Sequence, residues 1–429
     1  MLKLLRPGLN VKRWFLVLLL GMVVVSLGLG FAITGAYRIA VVPDWVSVLT
    51  LQFLPLWVRA AVCLVIGGGL CVAGFGGLYR SLADVMPANS QSLIDRIYEY
   101  RVRQGGPRIV CIGGGTGMPT VLRGLKHHSA NITAIVTVGD DGGSSGRLRR
   151  EHGILPPGDF RNNIVALAEV EPLMSRLFQY RFGEGSPLGG HSFGNLFVLA
   201  MTGITGSFEH ALRETTRVLA VQGVILPSTL EDVQICAKFT DGSEVCGESR
   251  IPEVGKPIAR LYLNPEHPAA QPEAVSAILE ADLIVLGPGS LYTSVVPNLL
   301  VEGIAKALIQ ADGLKVYVCN VATQPGETDG YNVEAHVEAL VKHLPGQANP
   351  IDVVIAPRHP GSSDPPEPGI SLVKTGPSRM THTRVMVEDV VRNDLVLRHD
   401  PDKLAAVLMR IYEEERRARA ATGGARYVS

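Results

Sequence analysis

Apolar positions follow three different patterns as this chain is read from its amino terminus. Residues 14–33 and 60–79 are two stretches of about twenty positions with no charged side chain. As helices, each is long enough to cross the ~30 Å hydrocarbon layer of a bilayer. The second stretch is rich in glycine (Gly67, Gly68, Gly69, Gly74, Gly76, Gly77), which suits close helix contact in lipid. From residue 108 the pattern changes. Residues 108–112 (RIVCI) form a short, mainly apolar run of β type. Helical spacing follows at Met118, Val121, Leu122 and Leu125, then a second strand at 132–138 (ITAIVTV). Strand, glycine turn, helix, strand is the opening of a doubly wound fold.

Helical patterns recur at 163–170, 173–182, 195–202 and 207–219. Near Gly223 the third pattern begins. Short alternating runs at 224–226, 233–239, 244–248 and 258–263, with Asp241-Gly242 as a hairpin turn, predict a β-rich insertion over about 223–268. Buried strands then return at 281–286, 314–319 and 351–356. A final strand is expected within 385–395 and an amphipathic helix over 402–419. The expected fold is α/β: a Rossmann-like, doubly wound, mainly parallel sheet in a domain of residues 107–419, preceded by two transmembrane helices. Residues 1–80 form the hairpin, 81–106 a linker helix, and 420–429 a frayed tail.

Basic residues set the expected orientation. Lys3, Arg6, Lys12 and Arg13 precede the first apolar stretch, and Arg80, Arg96, Arg101 and Arg103 follow the second. Only Arg38 and Arg59 lie between them. By the positive-inside bias both termini and the main domain face the cytoplasm, at the inner membrane. The net charge over 429 residues is zero, which gives no general electrostatic case for nucleic acid. None of the six cysteines forms a C-x-x-C pair, so zinc spacing is absent. They read as small buried hydrophobes in a reducing compartment, although Cys236 and Cys246 face each other if 233–239 and 244–248 pair as a hairpin.

Polar, glycine-rich loops follow several of the strands, where ligands of open α/β sheets bind. The first is Gly113, Gly114, Gly115, Thr116 and Gly117. Its backbone amides and the following helix N-terminus suit a phosphate, but Met118 stands where G-x-G-x-x-G has its third glycine, and no Walker lysine follows. A second is Gly287-Pro288-Gly289-Ser290. Asp140 and Asp141 end the second strand, placed either for ribose hydroxyls or for Mg²⁺. Residues 156–163 (PPGDFRNN) and 189–195 (GGHSFGN) set polar groups on turns before helices. There Asp159 is a third metal ligand or a helix cap, His191 a phosphate binder or acid/base, and Asn162 and Asn195 are polar contacts. Asp140, Asp159 and His191 are the only candidates for catalysis, and no nucleophile pattern accompanies them.

Taken together, 113–117, 140–147 (DDGGSSGR), 156–162 (PPGDFRN), 190–195 (GHSFGN), 287–294 (GPGSLYTS) and 320–327 (NVATQPGE) resemble the YvcK family in order and spacing. The resemblance runs from about 108 to 345, and more loosely to 410. It implies a Rossmann-like core in a superfamily shared with the 2-phospho-L-lactate transferases, which act on a deazaflavin coenzyme precursor. It also implies binding of UDP-sugars such as UDP-N-acetylglucosamine, roles in cell-wall synthesis, cell shape and growth on gluconeogenic carbon, and no required cofactor. By matching position, Thr116 falls in the diphosphate-facing loop, with Asp140, Asp141, Asn195 and 287–290 around the nucleotide. The transferases carry a Pro-Asp-x-Asp-Thr type stretch where this chain has 157–162, which argues for a regulator over a Mg²⁺-dependent transferase. Cell-wall synthesis proteins and a second copy of the chain are the expected protein partners.

Overall fold

The structure is a computed structural model. It describes residues 102–169, 172–359, 369–376, 382–392 and 397–421, with isolated positions between 22 and 69. The chain divides into two compact units, Met1–Val102 and Arg103–Ser429. Apart from those isolated positions, the expected transmembrane stretches lie outside the described residues, as does most of the linker helix. Among the described residues no helix is long and apolar enough to cross a membrane.

The second unit opens with β1 (Ile109–Gly113), α1 (Met118–Leu125) and β2 (Ile132–Val136). Met118, Val121, Leu122 and Leu125 are all buried on α1, the one-face spacing of a helix packed on a sheet. Four helices follow: α2 (Gly143–His152), α3 (Pro157–Leu167), α4 (Pro172–Gln179) and α5 (Phe193–Thr205). Next come α6 (Phe208–Val218), β3 (Val224–Pro227), β4 (Gln234–Phe239), β5 (Glu244–Cys246) and β6 (Ile258–Asn264). The α/β alternation resumes with α7 (Pro272–Leu279) and β7 (Leu283–Leu286). A π-helical turn at Leu291–Val295 leads into α8 (Val296–Leu299). Then come α9 (Glu302–Gln310), β8 (Leu314–Val318), α10 (Val333–Lys342), β9 (Val353–Pro357), β10 (Arg384–Glu388) and α11 (Pro401–Ala421).

Seven strands form one sheet in the order β10-β9-β8-β7-β1-β2-β3, and every pairing in it is parallel. β1, β7, β8 and β9 are buried at every position, because crossover helices cover both faces of such a sheet. Each fully buried Val, Ile or Leu contributes roughly 1.5–3 kcal/mol. Ile112 is wholly buried, so Ile112→Ala should cost about 2–5 kcal/mol through lost contacts and the cavity left behind.

Two boundaries differ from the sequence expectation. β3 belongs to the main sheet, beside β2, so the insertion is the separate three-stranded sheet β5-β4-β6 that begins after it. A four-residue apolar run gives no period by which to tell a buried parallel strand from an insertion strand. α3 also starts at Pro157 rather than at 163, since proline is favoured in a first helical turn. Asp159 and Asn162 therefore lie on the helix and not on a turn ahead of it. In the insertion, Cys236 and Cys246 sit directly opposite in register and form a disulfide. For these two the reading as inert buried thiols is corrected, whereas Cys111 and Cys319 are free and buried as expected.

Candidate functional site

The chain winds from β1 outward to β2 and β3, and later from β7 outward to β8, β9 and β10. Its direction of winding thus reverses between β1 and β7, which pair directly. Crevices at such reversals are where open α/β sheets take ligands. The two glycine loops leave these two neighbouring strands. They touch: a Cβ on Gly117 would lie 2.4 Å from the Pro288 carbonyl oxygen, so only glycine permits the contact. Gly287 has φ of 75°, the left-handed region that lets the second loop turn back on β7.

Beside this contact lies a cavity of about 250 Å³, lined among others by Thr116, Gly117, Ser290, Asn320, Gln324 and Arg398. Gln324 Nε2 donates to Ser290 Oγ at 2.6 Å, tying the loop after β8 to the loop after β7. The N-terminus of α1 opens onto the cavity through Thr116 and Gly117. Arg398 brings an exposed guanidinium from the segment before α11. Loop amides, a helix N-terminus, hydroxyls and one arginine around a space of this size suit a phosphate group.

On the other side of the loops, carboxylates meet backbone amides. Gly115 N donates to Asp159 Oδ2 at 2.6 Å. Tyr292 N donates to Glu327 Oε2 at 3.3 Å, and Thr293 Oγ1 to Glu327 Oε1 at 3.2 Å. Burial pushes the Asp159 carboxyl up to about 6 and that of Glu327 up to about 7. Glu248, just past β5, is pushed up to about 8 by burial and then by the charges of Asp140, Asp141, Asp159 and Glu327. Asp140 is raised as well, mainly by burial and against hydrogen bonds from Gly142 and Ser145. Desolvation disfavours the ionised form of each.

The paired aspartates separate in the fold. Asp140 Oδ1 accepts the Gly142 amide at 3.0 Å, and its charge reaches Asp159. Asp141 Oδ1 instead accepts the amide of Ser249 at 3.0 Å, anchoring the β-rich insertion. Among the described residues, no group of three or more His, Cys, Asp or Glu side chains is arranged to hold a metal ion. Asp159 does not act as a helix cap either: the N-cap of α3 is Pro156, with no side-chain cap bond.

His191, Ser144 and Asn195 form a buried network. Ser144 Oγ lies 2.9 Å from His191 Nδ1 and accepts from Asn195 Nδ2 at 3.0 Å. Burial, with Arg147 nearby, lowers the pKa of His191, which keeps the ring neutral and makes it a holder of Ser144 at the start of α2. Ser192 caps α5 by accepting the Asn195 amide, and Asn162 Oδ1 accepts from Arg161 Nη2 at 2.8 Å. The candidate residues thus fall into two sets. Thr116, Gly117, Gly289 and Ser290 line the cavity, whereas Asp140, Asp159, His191 and Asn195 lie outside its lining. Sequence reasoning missed Glu248 and Arg398. A carboxylate after a three-residue edge strand and an arginine in a loop carry no local signal. Glu327 did stand at the end of the NVATQPGE segment, where its role was open to view.

Known proteins are similar in the same regions. The family model described as 2-phospho-L-lactate transferase CofD matches residues 109–368. The gluconeogenesis factor of Bacillus subtilis (strain 168) is 47% identical over 319 residues, covering 72% of this chain and 99% of the relative. A relative from Nostoc sp. (strain PCC 7120 / SAG 25.82 / UTEX 2576) is 44% identical over 425 residues, covering 96% of this chain and 92% of its own. The crystal structure of a member of the UPF0052 family from Bacillus halodurans aligns with a TM-score of 0.65 at 42% identity, covering 71% of this chain and 99% of that one. With the parallel sheet, the paired glycine loops and these matches in agreement, the chain belongs to the CofD family, in its gluconeogenesis-factor (YvcK) branch.

Proposed function

We propose that this protein is a sugar-nucleotide-binding regulator of the UDP-N-acetylglucosamine type, held at the inner membrane face by residues 14–33 and 60–79. It acts on cell-wall synthesis, cell shape and carbon balance through partner proteins. The observation that carries the reading is the cavity where the two glycine loops touch, with the α1 N-terminus and Arg398 opening onto it. Thr116, Gly117 and Arg398 take the diphosphate there, and Ser290, Asn320 and Gln324 offer hydrogen bonds to the neighbouring hydroxyls. The Ser144–His191–Asn195 network is buried and held together by its own hydrogen bonds, with burial lowering the His191 pKa.

Isothermal titration of the full-length chain with UDP-N-acetylglucosamine, beside UDP and NAD and with or without Mg²⁺, tests the reading. Saturable binding with the ligand recovered unchanged is the expected result. Absence of binding at millimolar ligand sinks it. The second reading, a phospholactyl-type transferase, draws on the family match and on the carboxylates Asp140, Asp159 and Glu248 behind the first loop. Ligand consumed only with Mg²⁺ present decides for it.

A further inference from the structure

The disulfide between Cys236 and Cys246 joins two neighbouring strands of the β-rich insertion. Its surroundings differ from those of the other described cysteines. Cys111 and Cys319 are free and wholly buried. Burial pushes the Cys111 thiol up to about 12 and raises that of Cys319 as well, so neither supplies a thiolate for exchange. In the bonded pair Cys236 is wholly buried, whereas Cys246 is half-buried. A reductant arriving from solvent therefore meets the Cys246 sulfur first.

β5, which carries Cys246, is weakly anchored. It is three residues long, lies at the edge of its sheet, exposes Glu244 and only half-buries Val245 and Cys246. The chain leaving it bears directly on the carboxylates behind the first glycine loop. Gly247 N donates to Ile235 O at 2.8 Å, and Ser249 N donates to Asp141 Oδ1 at 3.0 Å. Between them, Glu248 meets the charges of Asp140, Asp141, Asp159 and Glu327. Once ionised, Glu248 is driven by those charges toward water. The disulfide two residues upstream holds this segment in place against that repulsion.

We infer that Cys236–Cys246 is a reversible thiol switch, opened by a dithiol reductant, that frees residues 244–249 from the carboxylates behind the first glycine loop. One thiolate of the reductant attacks Cys246 Sγ, the Cys236–Cys246 bond breaks, and Cys236 leaves as a thiolate that takes up a proton. The reductant's second thiolate then attacks its own sulfur in the mixed disulfide, and Cys246 leaves in the same way. The reductant ends as its disulfide, having given two electrons and two protons, and an oxidised partner of the same class reverses both steps. With the bond open, β5 keeps only its short ladder to β4, and the Ser249–Asp141 bond loses its support. A domain facing the cytoplasm, as proposed above, meets such reductants, and a disulfide in that compartment is characteristically transient or redox-sensing.

The test uses the full-length chain equilibrated in buffers of reduced and oxidised dithiothreitol, read by maleimide labelling with peptide mass spectrometry and by hydrogen exchange. Peptides carrying Cys236 and Cys246 should gain label together on reduction. Exchange at 244–249 should rise at least fivefold and return on reoxidation, with β1 unchanged. Cys236→Ser should trap oxidised glutathione as a mixed disulfide at Cys246, and Cys246→Ser should trap far less at Cys236. The double variant Cys236→Ser/Cys246→Ser should exchange like the reduced protein in both buffers. Should the variants fail to fold, the wild-type protein still reports. Equal exchange at 244–249 in the two buffers overturns the inference. So does a bond that survives millimolar reduced dithiothreitol in the folded protein, or a pair of thiols that never closes again. No readout uses a sugar nucleotide, so failure here leaves the proposed ligand standing, and failure to bind that ligand leaves the switch standing.

Discussion

The carboxylate of Asp159, from the first turn of α3, accepts the amide of Gly115 at 2.6 Å and so holds the first glycine loop against a second element. Burial pushes that carboxyl up to about 6. The loop is therefore held by a group that changes charge just below neutral pH.

Asp159 should make stability fall as pH rises. Below about pH 4 the group carries its proton in both folded and unfolded chains and contributes nothing. Between roughly pH 4 and 6 the unfolded chain releases the proton while the folded chain retains it, and the cost is complete above the folded value. Asp159→Asn removes a cost on the order of 2–3 kcal/mol. Urea midpoints should show the variant more stable than wild type at pH 7.5, with the two curves converging below pH 4. A lower midpoint for the variant at pH 7.5 would mean that the charged bond to Gly115 outweighs desolvation.

Gly117→Ala should separate the two loops. The new Cβ would lie 2.4 Å from the Pro288 oxygen and 2.8 Å from Gly289 N, both backbone atoms that cannot rotate away. The expected loss is about 2 kcal/mol or more in denaturant unfolding, with sugar-nucleotide affinity lost in the same variant. Wild-type stability in Gly117→Ala would show that the loops separate at little cost.

Asp141 separates two roles that its sequence neighbourhood leaves joined. Its Oδ1 accepts the Ser249 amide, so Asp141→Ala should raise hydrogen exchange at Ser249 and across β5 by tenfold or more. Sugar-nucleotide affinity should stay within about threefold, since each tenfold is 1.4 kcal/mol and Asp141 does not line the cavity. Loss of binding with unchanged exchange would return Asp141 to the ligand.

The legible part of this protein was whatever one stretch of chain decides for itself. β1, β7, β8 and β9 announce themselves as short apolar runs, and the loops after β1 and β7 by their glycines. Asp140 and Asp141 read alike, because adjacent residues share a neighbourhood in sequence. Their different directions depend on Ser249, 108 positions away. Glu248 and Arg398 reach the site's surroundings through long-range packing of the insertion and of the segment before α11. The proline that starts α3 moved Asp159 from a turn onto a helix, and with it from a cap to a holder of Gly115.

Arg398 supplies the sharpest test of where the phosphate sits. It lines the cavity with its guanidinium exposed, and a charged hydrogen bond to phosphate contributes roughly 1.5–3 kcal/mol. Arg398→Gln keeps a donor on a shorter side chain and loses the charge and the two-pronged geometry. Affinity for UDP-N-acetylglucosamine should fall at least tenfold at low salt, and the remaining binding should depend less on ionic strength than wild type does. Arg398→Lys should recover only part of the loss, because an ammonium replaces the charge without the planar fork. Calorimetry of the three proteins at two salt concentrations reads all of this. Equal affinity in all three would move the diphosphate away from this cavity and toward the carboxylate side of the loops, where Asp159 and Glu327 hold the amides.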